Sequence, residues 1–135
     1  MKKLIVSFCS MLLVVAAPII SAEGDQLPGG QNPCRDVVRG IDALSSGDTD
    51  SAMGMLGVYV GAYTAGMVTG WNMGQMNRSL LKQPSYRMVD MDHETRTFLL
   101  KKYCREHKSQ VLANAVYLSI IGTVVMGQAP RIQQY

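Results

Sequence analysis

The chain has 135 residues, 47% of them hydrophobic, which suits one modest domain and excludes an intrinsically disordered chain. Thirteen Lys+Arg against ten Asp+Glu leave a net charge of only +3, with no polybasic block, so nothing points to nucleic acid.

Lys2 and Lys3 precede a nearly unbroken apolar run over 4–20, and Ser21-Ala22 precedes Glu23. This is the pattern of a secretory signal peptide over 1–22, with cleavage expected after Ala22 and export to the periplasm. An uncleaved anchor is the lesser alternative, because the run is short for a span of about 20 residues. Cys9 leaves with the signal, as do Lys2 and Lys3, so eleven Lys/Arg then face ten carboxylates.

Residues 23–31 read as a flexible lead. Asn32-Pro33 then predicts an N-cap followed by proline at the first helical position. Cys34, Val37, Val38, Ile41 and Leu44 form the apolar face of a first helix that Ser45-Ser46-Gly47 ends.

The second element is an uncharged stretch between Asp50 and Arg78, with Asp48 or Asp50 as its cap. Its glycines recur at four-residue spacing, which stacks them on helix faces. Gly57, Gly61 and Ala65 make one small-residue ridge; Ala62, Gly66, Gly70 and Gly74 make a second. An interior Gly costs about 1 kcal/mol relative to Ala, so close packing on both ridges is expected to offset the loss. A membrane span is the less favoured reading, since Tyr59, Tyr63, Thr64, Asn72 and Gln75 dilute the hydropathy. A third reading is a binding surface, with Met67 and its neighbouring thioethers adapting to a partner.

Gln83-Pro84-Ser85 breaks this helix, and 83–91 is a loop. Asp92 or Asp90 starts a third helix, with Phe98, Leu99, Tyr103 and Cys104 inward and Arg96, Lys101, Lys102 and Arg105 outward. A turn is expected over 106–109. The Val/Ile-rich segment from Val111 forms a fourth helix, apolar nearly all round and therefore buried on most sides. Gly127 and Pro130 stop it.

Two cysteines remain after export, Cys34 and Cys104, and an even count in an oxidising compartment argues for one disulfide. The rivals are a free thiol and a Cys104–His107 metal pair, but only His93 and His107 are available to complete a zinc site. Asp90, Asp92 and Glu94 alternate as in a calcium loop. Thr95 stands where that loop needs glycine and Lys101 where it needs Glu, so helix capping is the cheaper explanation. No nucleophile, base and orienting group assemble, so no enzyme, cofactor or metal is expected.

The Cys at the start of the first helix, the VYVGAYTAG helix and FLLKKYCREHKSQVLANAVYLSI together resemble the HdeA-like superfamily of small periplasmic helical proteins. The resemblance covers 32–125 and is densest over 98–118; His107-Lys108 stands where relatives often carry Asn-Pro. It implies an all-α, small four-helix domain over 32–135, bridged by Cys34–Cys104, that acts by binding other periplasmic or envelope proteins. One implied activity is an acid- or envelope-stress holdase chaperone, opened by charge repulsion when its carboxylates protonate. The alternative is a dedicated partner binder, such as a toxin immunity protein or an envelope-complex subunit, with Tyr59, Tyr63, Met67 and Trp71 as contact residues. A second copy of the chain is a further candidate partner, and membrane association is not favoured.

Overall fold

The computed structural model describes residues 30–126. The expected signal peptide, most of the lead and residues 127–135 lie outside the described residues. Four helices follow one another: α1 Cys34–Ser45, α2 Ala52–Leu80, α3 His93–Glu106 and α4 Leu112–Val125. α4 is α-helical over Leu112–Val116 and Gly122–Val125 and π-helical over Tyr117–Ile121. No strand occurs among the described residues. The fold is the expected all-α domain, and Cys34 and Cys104 are bonded, joining the start of α1 to the end of α3.

The start of α1 lies one residue from its expected place. Pro33, not Asn32, is the N-cap, and no side chain caps the helix. The first amides are satisfied from across the fold instead: Cys34 N donates to Gln110 O (2.7 Å) and Arg35 N to Lys108 O (3.2 Å). Asn32 O in turn accepts from Leu112 N (2.8 Å). The turn between α3 and α4 thus supplies the cap beside the disulfide, which leaves a capping side chain nothing to do. The lead also ends earlier than expected. Gly30 is buried, its N donates to the Tyr59 hydroxyl (3.2 Å), and a Cβ there would overlap the Tyr63 ring.

Both long turns close with the same hydrogen-bond pattern. After α1, Asp48 N reaches Ala43 O and Gly47 N reaches Leu44 O, with Gly47 at φ +86°. After α2, Gln83 N reaches Arg78 O and Lys82 N reaches Ser79 O, but here the left-handed position is Lys82, at φ +54°. Ser51 caps α2, accepting from Gly54 N (3.1 Å), so neither Asp48 nor Asp50 caps it directly. Asp48 acts one step back, accepting from the Ser51 hydroxyl (2.5 Å) and its N–H (3.0 Å). Those two bonds hold its carboxyl below the usual range. Asp92 caps α3 as expected, accepting from Thr95 N (2.6 Å).

The core gathers Val37 and Ile41, Leu56 and Val60, Leu100, and the inner side of α4 around the disulfide. α1 and α2 cross where Gly40 meets Gly57. A Cβ on Gly57 would overlap the Gly40 carbonyl oxygen and stand 2.8 Å from Leu44 Cβ; one on Gly40 would stand 2.9 Å from Gly57 N. Only glycine permits that approach.

α3 keeps Cys104 buried and Tyr103 packed on the core as expected, but Leu100, one turn before the bonded Cys104, is the other buried side chain, and Phe98 turns out, 64% exposed. Lys101, expected outward, bends back to pair with Asp42 of α1. α4 is buried on most sides as expected, with Tyr117 and Leu118 emerging at the π-helical turn.

Candidate functional site

α2 is long enough to outrun the bundle, and its two sides differ. On the covered side, Gly57 meets α1 as described, and a Cβ on Gly54 would overlap the Asp48 carbonyl. Among the described residues nothing clasps the expected second ridge. Around Gly66, Gly70 and Gly74 no described atom beyond the helix's own backbone lies within 4 Å of an added Cβ. The first ridge is clasped at Gly57 alone, because the nearest atom to a Cβ on Gly61 is His93 Cε1 at 3.8 Å. The correction has a simple cause: α1, at 12 residues, spans less than half of the 29-residue α2 and leaves one side of its far half uncovered.

That open side carries a regular seam. Ala62, Gly66, Thr69, Met73, Met76 and Leu80 are all exposed. Their spacings alternate four and three, the 3.5-residue repeat that keeps one face towards a partner helix. Gly70 and Gly74 flank the seam, and Met55 and Val58, each about half exposed, extend it towards the N-terminus. From Ala62 to Leu80 the seam runs about 27 Å at 1.5 Å per residue. No charged side chain occurs between Asp50 and Arg78.

The four contact residues expected from sequence do not lie free on this seam. Tyr59 accepts from Gly30 N, and its ring packs 5.8 Å from that of Tyr63. Tyr63 is half-buried against Gly30, and burial, with Tyr59 alongside, pushes its phenol up. Met67 packs on the core. Trp71 donates from Nε1 to Arg87 O (3.2 Å) and faces Tyr86 at 6.2 Å. These side chains hold α2 to its own fold, because an aromatic body finds apolar cover while its polar tip finds a backbone group.

Trp71 belongs to a clasp that sequence reasoning missed. Residues 83–91 are the expected loop, but they lie back along α2 as a strap. Asn72 pairs both ways with Val89, donating from Nδ2 to its O (2.9 Å) and accepting from its N (2.7 Å). Gln75, buried, accepts from Tyr86 N (2.8 Å), and Arg78 Nε donates to Pro84 O (2.8 Å). The available signal was two amide side chains three apart on an otherwise apolar helix, next to a segment needing backbone partners.

The histidines lie apart, His93 opening α3 and His107 following its end, stacked on Tyr103 at 4.1 Å. Cys104 is committed to the bridge and Asp92 to its cap. No protein family, curated protein or solved structure matches the chain.

Proposed function

We propose that this chain is an exported, non-enzymatic protein-binding domain of HdeA-like type, which docks an apolar helix of another envelope protein on the α2 seam. One observation carries the reading: three mid-helix glycines that no described residue covers, set in and beside an exposed, uncharged stripe of 3.5-residue period. Each glycine costs about 1 kcal/mol and nothing described offsets it. A partner backbone approaching the small-residue stripe would offset it, and the flexible thioethers of Met73 and Met76 would fill the gaps either side.

The stripe is exposed in the folded domain and needs no opening of the core, which favours a dedicated binder over an acid-opened holdase. Among the described residues, one ion pair links two helices, Lys101–Asp42, and it joins α1 to α3, which the disulfide already ties.

The test places a photo-crosslinking residue at Met73 of the mature protein in the envelope, with Lys108 as the control position. The expected result is one crosslinked protein at position 73, lost when Met76→Asp is added, and none at 108. Crosslinks to lipid, to a second copy of the chain, or to a broad set of proteins only at pH 3 would each overturn the proposal.

A further inference from the structure

A cleft of about 390 Å³ lies between α1, α2 and α3, beside the N-terminal end of the seam, with Val58 at the border of the two. We propose that it binds a small amphipathic carboxylic acid carrying a second oxygen group. The inference does not depend on the docking seam.

The walls are apolar: Ile41 and Leu44 from α1, Val58 and Val60 from α2, Leu100 from α3. The volume falls at the small end of ligand sites, about 300–1,000 Å³, so the body it takes is short. The opening exists because of Gly61. At Gly57 the backbones touch and glycine is obligatory; at Gly61 a Cβ would meet only His93 Cε1, at 3.8 Å. Close packing therefore does not explain Gly61. An open cleft does, because any longer side chain there would project into it.

Three residues that line the cleft carry hydroxyls, Ser45, Thr64 and Thr97, and two of the hydroxyls are accounted for. Ser45 Oγ donates to Ile41 O (2.7 Å) and Thr97 Oγ1 to His93 O (2.9 Å). Thr64 is different. It is 6% exposed, and its hydroxyl has no hydrogen-bond partner among the described residues. Such a buried group is costly, and native folds rarely leave one unpaired. Ser119 is buried and unpaired as well, but does not line the cleft. An oxygen function within an otherwise apolar ligand would satisfy Thr64.

Arg96 supplies the charge. Its Nε donates to the backbone O of Asp92 (3.3 Å), which fixes the guanidinium beside the cleft. No described carboxylate lies within ion-pair distance, and the Asp92 carboxylate is already engaged by Thr95 N. The free edge of a held guanidinium suits a carboxylate bidentately. Apolar walls, an inner unpaired hydroxyl and a cation at the edge together describe a short hydroxy or keto acid.

The experiment titrates the intact oxidised protein with 3-hydroxyoctanoate, octanoate and 1-octanol, read by calorimetry and by amide shifts of Gly61, Thr64 and Thr97. Octanoate is expected to bind at least tenfold more weakly than its 3-hydroxy form, and 1-octanol more weakly still. Arg96→Gln should weaken both acids about tenfold, the scale of one charge-assisted hydrogen bond. Thr64→Val should erase the preference for the hydroxy acid while leaving octanoate binding unchanged. Gly61→Leu should abolish binding while holding or raising Tm, because it fills open space and improves helix propensity. If Gly61→Leu fails to fold, Gly61→Ala and the shift map decide. Binding untouched at the Gly61 position, 1-octanol binding as tightly as the acids, or shifts confined to other residues would overturn the inference.

Discussion

Replacing α2 glycines by alanine should change stability with opposite signs at positions along the same helix. At Gly66, Gly70 and Gly74 an added Cβ meets open space. Each Ala there gains about 1 kcal/mol from helix propensity and from a less disordered unfolded chain. The positions share no partners, so the triple variant should gain about 2–3 kcal/mol. For a domain of this size that raises Tm by about 10–20 °C. Gly57→Ala should do the reverse. Its Cβ would overlap the Gly40 carbonyl oxygen and stand 2.9 Å from the carbonyl carbon, so α1 must move off, at a cost of about 1–3 kcal/mol. The assay is equilibrium urea unfolding of the oxidised protein, comparing midpoints at constant slope. A triple variant less stable than the parent would refute the open seam, since it would mean another part of the chain packs there. A neutral Gly57→Ala would refute the backbone contact between α1 and α2. The stabilised triple variant should also dock its partner helix less well, because three methyl groups hold the backbones apart.

Asn72→Ala should cost about 2–3 kcal/mol, leaving Val89 N–H and C=O without their partners, and amide exchange at Val89 should accelerate while that of Leu100 holds. Reducing the Cys34–Cys104 bond opens a loop of 70 residues and should lower stability by about 4 kcal/mol, read as the fall in Tm with reductant. Asp48 and Asp92 have folded pKa values below their unfolded ones, so the unfolded chain takes up their protons first. Their contribution is complete above the unfolded carboxyl range, near pH 4, and is lost as pH falls through the lower folded values. Asp48→Asn and Asp92→Asn keep an acceptor that does not titrate, so the double variant should lose less Tm than the parent between pH 5 and pH 2.

The helices were legible because their signals are local. Charge-free spacing over 52–77, the Asp92 cap, the stop at Gly47 and the break at Gln83-Pro84 each act within a turn or two of chain. The disulfide was legible because only two cysteines follow the expected signal segment, which leaves one pairing. What sequence could not reach was which neighbour each face meets. Glycines four apart look alike at Gly57 and at Gly66, yet one touches the Gly40 backbone and the other touches nothing described, since that depends on where the shorter α1 ends. On α3 Tyr103 and Cys104 face inward as read; Phe98 was misplaced because it is more apolar than its surroundings, while Leu100, one turn before Cys104, takes the buried position. Tyr59, Tyr63 and Trp71 look like anchors for a partner in sequence, but Tyr59 and Tyr63 close on Gly30 and Trp71 bonds Arg87, 16 to 33 residues away along the chain. Local propensity falls within reach of a few residues' spacing; contact between distant segments depends on three-dimensional packing, which alone placed the strap, the cleft and the open seam.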